Sequence, residues 1–461
     1  MTELYSMTAH ELAPLIETKQ LSPVELMENM MSRVNQVEQE VNAYITILEE
    51  QALEQARHAE AEIMNGLYKG ALHGIPIGIK DNYYTKGVRT TSGSKFFQDL
   101  TPDYTATVVK KLLCAGGIMT GKLNMHEFGG GLTNTNPFYG DVRNPWDLER
   151  TPGGSSGGSS AALAAGLSTL ATGTDTFGSI RVPAALTGTY GLKPTYGLVS
   201  GYGVAPLAWS MDHPGPMARS VTDLALMLNH MVGYDHDDPG SIKAPSANYL
   251  KNLSKGVKGV KVGVPNFYLN NLDPEVKDAF QTAMSTFEQL GAEVKDISIP
   301  ELNLSTYAGY LVTIGEGSGY HYSRLRNQPE DFASDVRIFF NTGTLTTTPQ
   351  YVMAQQVRRA LTDAFKKAFE DVDVIASPMT PYPAPRFQDH WVEQNLEIIN
   401  DFMPFTAPAA TTGIPSLAVP MGLSSNGLPL GLQLMSNHLT EKLLLQVGSA
   451  FENNSLASNP F

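Results

Sequence analysis

The chain has 461 residues, of which 42% are apolar and 17% are charged, so it can bury a large core and form one to three domains. Lysine and arginine number 32 against 46 aspartate and glutamate residues, which gives a net charge of −14. This acidic balance argues against unaided binding to nucleic acid or to an anionic membrane.

Export and membrane signals are missing from the sequence pattern. The first residues lack the charged and apolar stretches of a signal peptide, and no run approaches the ~20 apolar residues that span a bilayer. The single cysteine, Cys114, excludes an internal disulfide and favours a reducing compartment. We therefore expect a cytoplasmic protein without a membrane partner, and a homodimer is left open.

The first 70 residues predict about three helices. Thr8 and Glu11 have the spacing of a capping box, and Ser22 precedes a proline at the start of a second helix. Apolar residues then recur at helical spacing. We predict that residues 1–70 form a helical segment, which packs on a larger domain of residues 71–461.

Strand and helix patterns alternate in the larger domain. In residues 73–82 three isoleucines alternate as in a strand with Lys80 at its end, and Pro76 indicates an edge or irregular strand. A strand, a helix and a second strand follow one another in residues 259–299, which indicates a parallel pair. Residues 416–434 have a hairpin pattern. These patterns predict an α/β fold.

Residues 151–191 contain an unusual density of glycine, serine, threonine and alanine. The run GGSSGG contains Ser155, and the run DTFGSIR contains Ser179. Small residues contribute little to a core and glycine costs backbone entropy, so these runs indicate backbone held close to a ligand or to another chain segment. A serine becomes a nucleophile only beside a base and an oxyanion site.

Other hydrolytic and binding motifs fit this stretch less well. Residues 153–157 match the nucleophile elbow G-x-S-x-G around Ser155 or Ser156, but Pro152 and a loop precede them where an elbow needs a strand. The glycine cluster lacks the lysine of a phosphate loop. No metal-binding spacing occurs, so we expect neither a metal nor a cofactor. Structural roles are expected for three candidate histidines: His126, His213 and His321.

Three motifs occur together along the chain. They are GIPIGIKDN with Lys80, TPGGSSGGSSAALAAG with Ser155, and GTDTFGSIRVPAALTGTYG with Ser179. In combination they resemble the amidase signature family, over nearly the whole chain. The resemblance implies a mixed, largely parallel sheet between layers of helices. It also implies that Ser179 forms an acyl-enzyme, that Lys80 is the base, and that Ser155, after a cis peptide bond, relays the proton.

The resemblance implies further site residues. The oxyanion hole would use the N–H groups of Thr176, Phe177, Gly178 and Ser179. Substrate would contact Gly129, Gly130, Gly131, Phe177, Arg358 and Asp401. The catalytic groups would be supported by Ser156, Asp175 and Arg181. Phe177 stands where the family usually has glycine, so we expect a narrower pocket beside the oxyanion hole.

The sequence around the expected site favours one kind of amidase. The run SMDHPGP at residues 210–216 and the missing asparagine in residues 406–412 resemble free-standing members of the family. We predict a serine amidohydrolase of a small or aryl amide, with carbamates, ureas and esters as further substrates and no nucleic acid as partner. One alternative is the glutamine-hydrolysing A subunit of a glutamyl-tRNA(Gln) amidotransferase, in which Arg358 and Asp401 would hold the charged ends of glutamine. The other is a non-catalytic binding protein on the same scaffold.

Overall fold

The computed structural model describes residues 3–454. Residues 1–2, at the start of the predicted helical segment 1–70, and residues 455–461, at the end of the predicted domain 71–461, lie outside the described part. The strands in this part are β1 Tyr44–Ile47, β2 Pro76–Lys80, β3 Ile118–Leu123, β4 Leu170–Asp175, β5 Tyr190–Lys193, β6 His213–Ala218, β7 Lys261–Pro265, β8 Glu293–Ile297, β9 Val374–Pro378, β10 Ser416–Leu423 and β11 Pro429–Ser436. The α-helices are α1 Ala9–Glu17, α2 Pro23–Val41, α3 Glu49–Met64, α4 Thr107–Cys114, α5 Gly157–Ala164, α6 Arg181–Thr187, α7 Val221–Met231, α8 Pro274–Gln289, α9 Ser305–Asn327, α10 Ser334–Thr344, α11 Thr348–Asp371, α12 Trp391–Thr412 and α13 Glu441–Glu452.

The described strands form one 11-stranded sheet in the order β1-β3-β2-β4-β6-β5-β10-β11-β9-β7-β8. Parallel pairs join β3, β2 and β4 towards one end, and β9, β7 and β8 at the other. The six remaining pairings are antiparallel. The mixed α/β class is confirmed, although parallel pairs are fewer than the sequence led us to expect.

Helices cover both faces of the sheet. On one face, apolar residues of α1, α4, α7, α8 and α13 pack together in one buried cluster. On the other face, α2, α3, α5, α6, α9 and α12 contribute to a second cluster. Neighbouring residues of β4 separate accordingly, because Leu170 belongs to the first cluster and Ala171 to the second. The sheet is therefore buried on both faces, as a layered α/β fold requires.

The N-terminal segment combines helices with a strand. Thr8 and Glu11 form the capping box of α1, and the Ser22 hydroxyl accepts from Val24 N at 2.9 Å at the start of α2. The strand β1 was not predicted, and it pairs antiparallel with β3 at the edge of the sheet. The division of the chain at residue 70 stays a prediction.

The strand that ends at Lys80 lies inside the sheet. Of the predicted alternatives, an edge or an irregular strand, the edge position was wrong, because β2 pairs with β3 on one side and β4 on the other. The irregularity is confirmed by a register shift between Ile77 and Gly78 in the pairing with β3. Pro76 is tolerated because it is the first residue of the strand, where its missing N–H leaves the ladder intact. The carboxyl end of β2 therefore places Lys80 in the fully buried interior.

Two local predictions are confirmed in the second half of the chain. The strands β7 and β8, which α8 connects along the chain, pair in parallel. The strands β10 and β11 form an antiparallel hairpin. The helix α5 begins at Gly157, directly after the GGSSGG serines, so Ser159 and Ser160 lie inside it. Within residues 3–454, no helix is long and apolar enough to span a bilayer.

Candidate active site

Lys80 is surrounded by hydroxyl groups. Its Nζ lies 2.9 Å from Ser155 Oγ, 2.8 Å from Ser156 Oγ and 2.8 Å from Thr174 Oγ1. The backbone N–H of Lys80 also donates to Thr172 Oγ1 at 2.9 Å, so β4 fixes the end of β2. The side chain is fully buried. In the described residues, therefore, hydroxyls rather than a carboxylate contact this amine.

The environment of Lys80 weakens its hold on a proton. Burial lowers the pKa of Lys80 to about 7, against a partial raising effect of the Asp175 and Asp212 carboxylates. A second buried lysine, Lys122, differs because its Nζ lies 3.5 Å from the Asp81 carboxylate. Lys193 is also fully buried and its pKa is lowered well below the usual range, but its Nζ donates to the carbonyl oxygens of Pro194 and Ile414. Among the buried lysines of residues 3–454, Lys80 is therefore the one that contacts the Ser155 hydroxyl.

The loops that carry Ser155 and Ser179 are joined through their backbones. The peptide bond between Gly154 and Ser155 is cis. The N–H of Ser156 donates to the Ser179 carbonyl at 3.2 Å, and the N–H of His126 donates to the Ser155 carbonyl at 3.2 Å. These bonds bring the two glycine- and serine-rich runs together, with Ser179 on the wall of a cavity.

Asp175 organises the loop before α6. Its carboxylate accepts from Arg181 Nε at 2.8 Å and Arg181 Nη2 at 3.0 Å, and both side chains are fully buried. Burial alone would raise the pKa of Asp175, but the charge and hydrogen bonds of Arg181 outweigh it and hold that pKa well below its usual range. The ion pair therefore locks this loop in place.

One predicted oxyanion donor has another role. The N–H of Gly178 donates to Asp175 Oδ1 at 2.7 Å, so the prediction that it faces an oxyanion was wrong. Gly178 has φ +112, and a Cβ there would lie 2.6 Å from Thr406 Cγ2. Within residues 3–454, no acceptor engages the N–H of Thr176, Phe177 or Ser179. These three remain available to a ligand.

A small cavity opens beside Ser179. Its described lining carries no charge and consists of Gly129, Gly130, Gly131, Leu132, Phe177, Ser179, Leu207, Tyr310, Thr313, Phe339 and Ile399. The glycine loop approaches closely, because a Cβ on Gly129 would lie 3.5 Å from Ser155 Oγ. Phe177 fills one side and packs against Gly309, where a Cβ would lie 2.4 Å from its ring.

The structure does not bring Arg358 or Asp401 to this cavity. The Arg358 guanidinium donates to Thr411 O at 2.7 Å, to Ser210 Oγ at 3.0 Å and to Ser210 O at 2.8 Å. Asp401 accepts from Tyr382 Oη at 2.9 Å and is exposed. Neither side chain lines the cavity, so a contact of either one with substrate stays a prediction.

The three candidate histidines lie in separate structural settings. His126 Nε2 lies 2.9 Å from Asp335 Oδ2, and His213 Nδ1 lies 2.9 Å from the Asp175 carbonyl oxygen. His321 packs among aromatic rings, with its centroid 4.2 Å from that of Phe128.

Sequence reasoning missed two residues of the site. Thr174 contacts Lys80 directly, and Asp212 accepts from the Thr176 hydroxyl. Thr174 lies two residues before Thr176 in the same serine- and threonine-rich run, which gave no reason to separate it from its neighbours. Asp212 is an acidic residue in an otherwise apolar loop, and that contrast was the available signal.

Comparisons with known proteins agree with this geometry. The sequence model of the family described as Amidase matches residues 25–445. The chain belongs to the amidase signature family. It is 39% identical to the A subunit of a glutamyl-tRNA(Gln) amidotransferase from Geobacter sp. strain M21, with 98% of each chain covered.

Solved structures show the same fold. The structure of the A subunit of a glutamyl-tRNA(Gln) amidotransferase from Thermotoga maritima is 32% identical, with a TM-score of 0.85 over all of this chain and 98% of that one. A chain from a study of a vestigial protein complex and the origins of an s-triazine catabolic enzyme is 33% identical, with a TM-score of 0.93 over 98% of this amidase and 100% of that chain.

These relatives overturn two predictions. The expected free-standing hydrolase of small or aryl amides was wrong, because the similar curated proteins are subunits of an amidotransferase. The expectation of a small-molecule partner without nucleic acid was wrong for the same reason, since those proteins are named for a tRNA. Motifs 210–216 and 406–412 were too short to outweigh similarity over the full chain. Amidase chemistry in general is supported.

Proposed function

We propose that this amidase is the glutamine-hydrolysing A subunit of a glutamyl-tRNA(Gln) amidotransferase. The supporting observation is a buried lysine in contact with Ser155, beside Ser179, in a chain that matches such subunits over 98% of its length. In this role the chain releases ammonia from glutamine and acts with the other subunits of that enzyme and with tRNA. A cytoplasmic location belongs to the proposal.

Lys80 is the proposed base. A neutral amine has two N–H donors and one lone pair, which matches the three hydroxyl contacts of Nζ. Nζ donates to Ser156 and Thr174 while the Ser155 hydroxyl donates to the lone pair. Ser155 then accepts the proton of Ser179 as the latter attacks the amide carbon. The pKa of Lys80, lowered by burial to about 7, suits a base that works near neutral pH.

The remaining steps return the proton and release the acid. When the C–N bond breaks, the nitrogen takes the proton from Lys80 through Ser155 and leaves as ammonia. The acyl group stays on Ser179 as an ester. Water then attacks that ester, with the same residues removing its proton, and glutamate leaves while Ser179 regains its hydrogen.

The developing negative oxygen needs hydrogen-bond donors in a dry site. We assign this role to the N–H groups of Thr176, Phe177 and Ser179, and not to Gly178, which serves Asp175. The Asp175–Arg181 pair holds the loop that carries these donors. A preformed arrangement of this kind is worth about 3–4 kcal/mol per donor in related acyl-transfer sites.

The charged ends of glutamine must be met outside the uncharged cavity wall. The Arg358 guanidinium uses three of its five N–H groups on Ser210 and Thr411. In the proposal, two N–H groups remain for a carboxylate once the ligand, or another subunit, brings that carboxylate within reach. The role of Asp401 is left as a prediction of the same kind.

The test is glutamine hydrolysis by the purified chain, alone and with the other subunits of the enzyme and glutamyl-tRNA(Gln). We expect glutamate and ammonia to form, and Ser179→Ala to remove this turnover by roughly 10,000-fold. Ser160→Ala is the matched control, because the Ser160 hydroxyl bonds only Gly157 O among the described residues.

Each outcome decides the proposal. Ser179-dependent glutamate formation, with Ser160→Ala active, supports it. Turnover that survives in Ser179→Ala contradicts the assigned nucleophile. Folded wild-type protein that hydrolyses no glutamine with all subunits present overturns the proposal and favours a non-catalytic binding role for this scaffold.

A further inference from the structure

Asp212 connects two chain segments beside the cavity at Ser179, one at Thr176 and one at residues 207–208. Its Oδ1 accepts from the Thr176 hydroxyl and from Ala208 N at 3.1 Å, and its Oδ2 accepts from Leu207 N at 2.9 Å. Thr176 carries one of the proposed oxyanion donors and precedes Phe177, which lines the cavity together with Leu207. One carboxylate therefore fixes the spacing between these two segments.

The same carboxylate acts on Lys80 through space. Asp212 is one of two acidic groups whose charge raises the pKa of Lys80 against the larger lowering effect of burial. The other, Asp175, already has Arg181 as its partner. Burial raises the pKa of Asp212 to about 6, so its carboxyl is ionised in most molecules at pH 7. Its charge is not offset by a cation in direct contact among the described residues.

We infer that Asp212 is a positioning residue of this active site, which fixes Thr176 for the oxyanion and places a carboxylate beside the strand end that contacts Lys80 through Thr174. The inference rests on the proposed function, since it needs Lys80 to be the base. Asp212 does not line the cavity and was not among the site residues predicted from the sequence, so its role would be exerted through Thr176 and Lys80.

Other charged and titratable groups lie near Asp212 and Lys80 and contribute to the electrostatics of the site. They are Asp175 with Arg181 and Lys193, Glu316 on α9 with Arg358 on α11, and Tyr196 after β5. Glu316 raises the pKa of Asp212 and lies outside its hydrogen bonds. Replacing Asp212 by asparagine therefore removes a charge that acts on Lys80 and leaves the Asp175–Arg181 pair in place.

A fluorophosphonate probe tests the inference without a chosen amide substrate. Ser179 Oγ forms a bond to phosphorus, the P–F bond breaks, fluoride leaves, and the serine proton passes to Lys80. We measure the labelling rate of Ser179 against pH in the full chain. In wild type the rate rises with pH as Lys80 becomes neutral. Loss of a nearby negative charge lowers the pKa of Lys80. For Asp212→Asn we therefore expect the rising limb to shift by about 0.5 unit or more to lower pH.

Two further variants separate charge from contact. Thr176→Val removes the hydroxyl that donates to Asp212 but keeps the charge, so we expect a roughly tenfold slower plateau and an unmoved limb. Asp238→Asn is the charge-matched control. Asp238 lines a neighbouring surface pocket with Asp212 but bonds Gly201 N at 2.7 Å and Gly240 N at 2.8 Å, away from Lys80. Its profile should match that of wild type.

The results separate this inference from the proposed function. A limb that moves in Asp212→Asn and not in Asp238→Asn supports the inference. A uniform rate loss without a shift, or an unchanged profile, overturns it while the proposed function stands. If Asp212→Asn does not fold, Thr176→Val decides: a slower plateau supports the inference and a wild-type plateau overturns it. A wild-type chain that is not labelled at Ser179 overturns both.

Discussion

Residues 151–195, here called the catalytic layer, and the β7–α8–β8 unit bury different kinds of side chain. Every residue from 151 to 195 is buried, although most side chains in this stretch are small or polar. In the β7–α8–β8 unit, by contrast, only part of the chain is buried, and the buried side chains are large and apolar, such as Phe280 and Phe287. The strand β8 remains largely accessible.

The difference shows what each region stabilises. Burial of Phe287 contributes to the free energy of folding through apolar surface. Burial of Lys80, Asp175 and Arg181 costs desolvation energy, which hydrogen bonds and ion pairs offset. The catalytic layer thus holds reactive groups in place, whereas the β7–α8–β8 unit, here called the outer unit, stabilises the fold through apolar packing. Substitutions in the two regions should separate activity from stability.

The largest effect is expected for Lys80→Met. Methionine fills the buried space without the base, so turnover of glutamine should fall by roughly 10,000-fold, with the free energy of unfolding changed by less than about 2 kcal/mol. The exposed residue Lys277 on α8 provides the control Lys277→Met. Single-turnover rates and thermal unfolding check both. A Lys80→Met variant that keeps wild-type turnover would contradict the assigned base.

Phe287→Ala should have the opposite signature. Phe287 is fully buried, with its ring centroid 5.2 Å from that of Phe451. The cavity left by its removal should lower the free energy of unfolding by about 3–5 kcal/mol. Turnover per folded molecule should stay within twofold of wild type. Denaturant unfolding measures the first quantity, and the exposed Ser285→Ala on the same helix is the control. A tenfold activity loss would show that the regions are coupled.

Gly178→Ala should affect both quantities at once. The new Cβ would meet Thr406 at 2.6 Å in backbone with φ +112, so we expect a loss of about 1–3 kcal/mol and a displaced oxyanion loop. Gly259 has φ +79 with open space around its Cβ position, so Gly259→Ala in the outer region should cost only about 1 kcal/mol. Equal effects of the two substitutions on activity would refute the difference between the regions.

The pH dependence should also distinguish the two regions. Burial lowers the pKa of Lys80 to about 7, so the base is mostly neutral above pH 7 and mostly protonated below it. Turnover at limiting substrate should therefore fall by about tenfold per pH unit once the pH is well below 7. The stability of the outer unit, measured by its unfolding signal, should not follow this pH dependence of turnover. A flat profile between pH 5.5 and 8 would argue against Lys80.

The sequence predicted the outer unit well because its physics is simple. Apolar residues at helical spacing, capping by Asp273 and the glycine at 291 mark α8 and its two strands without knowledge of the rest of the chain. In the catalytic layer the motifs identified Ser155, Ser179 and Lys80, but they did so by resemblance. The strands β4, β5 and β6 were missed, since glycine, threonine and proline buried on both faces leave no alternation to read.

Long-range contacts explain the other errors. Nothing near Gly178 in the sequence shows that its N–H serves Asp175, and nothing near Arg358 shows that Ser210 lies beside it. Such pairings depend on the tertiary fold. The choice of a free-standing hydrolase over an amidotransferase subunit was wrong for a related reason, because two short motifs were given more weight than similarity spread over the whole chain.

The hairpin of β10 and β11 has a consequence for biosynthesis. It lies between β5 and β9 in the sheet, and Gln433 on β11 accepts from Arg181 Nη1 at 2.6 Å. Arg181 in turn holds the nucleophile's loop through Asp175. A ribosome-bound chain whose hairpin is still inside the exit tunnel therefore cannot complete the lock on that loop. A chain that ends before β11 therefore lacks the hydrogen bond between Arg181 and Gln433.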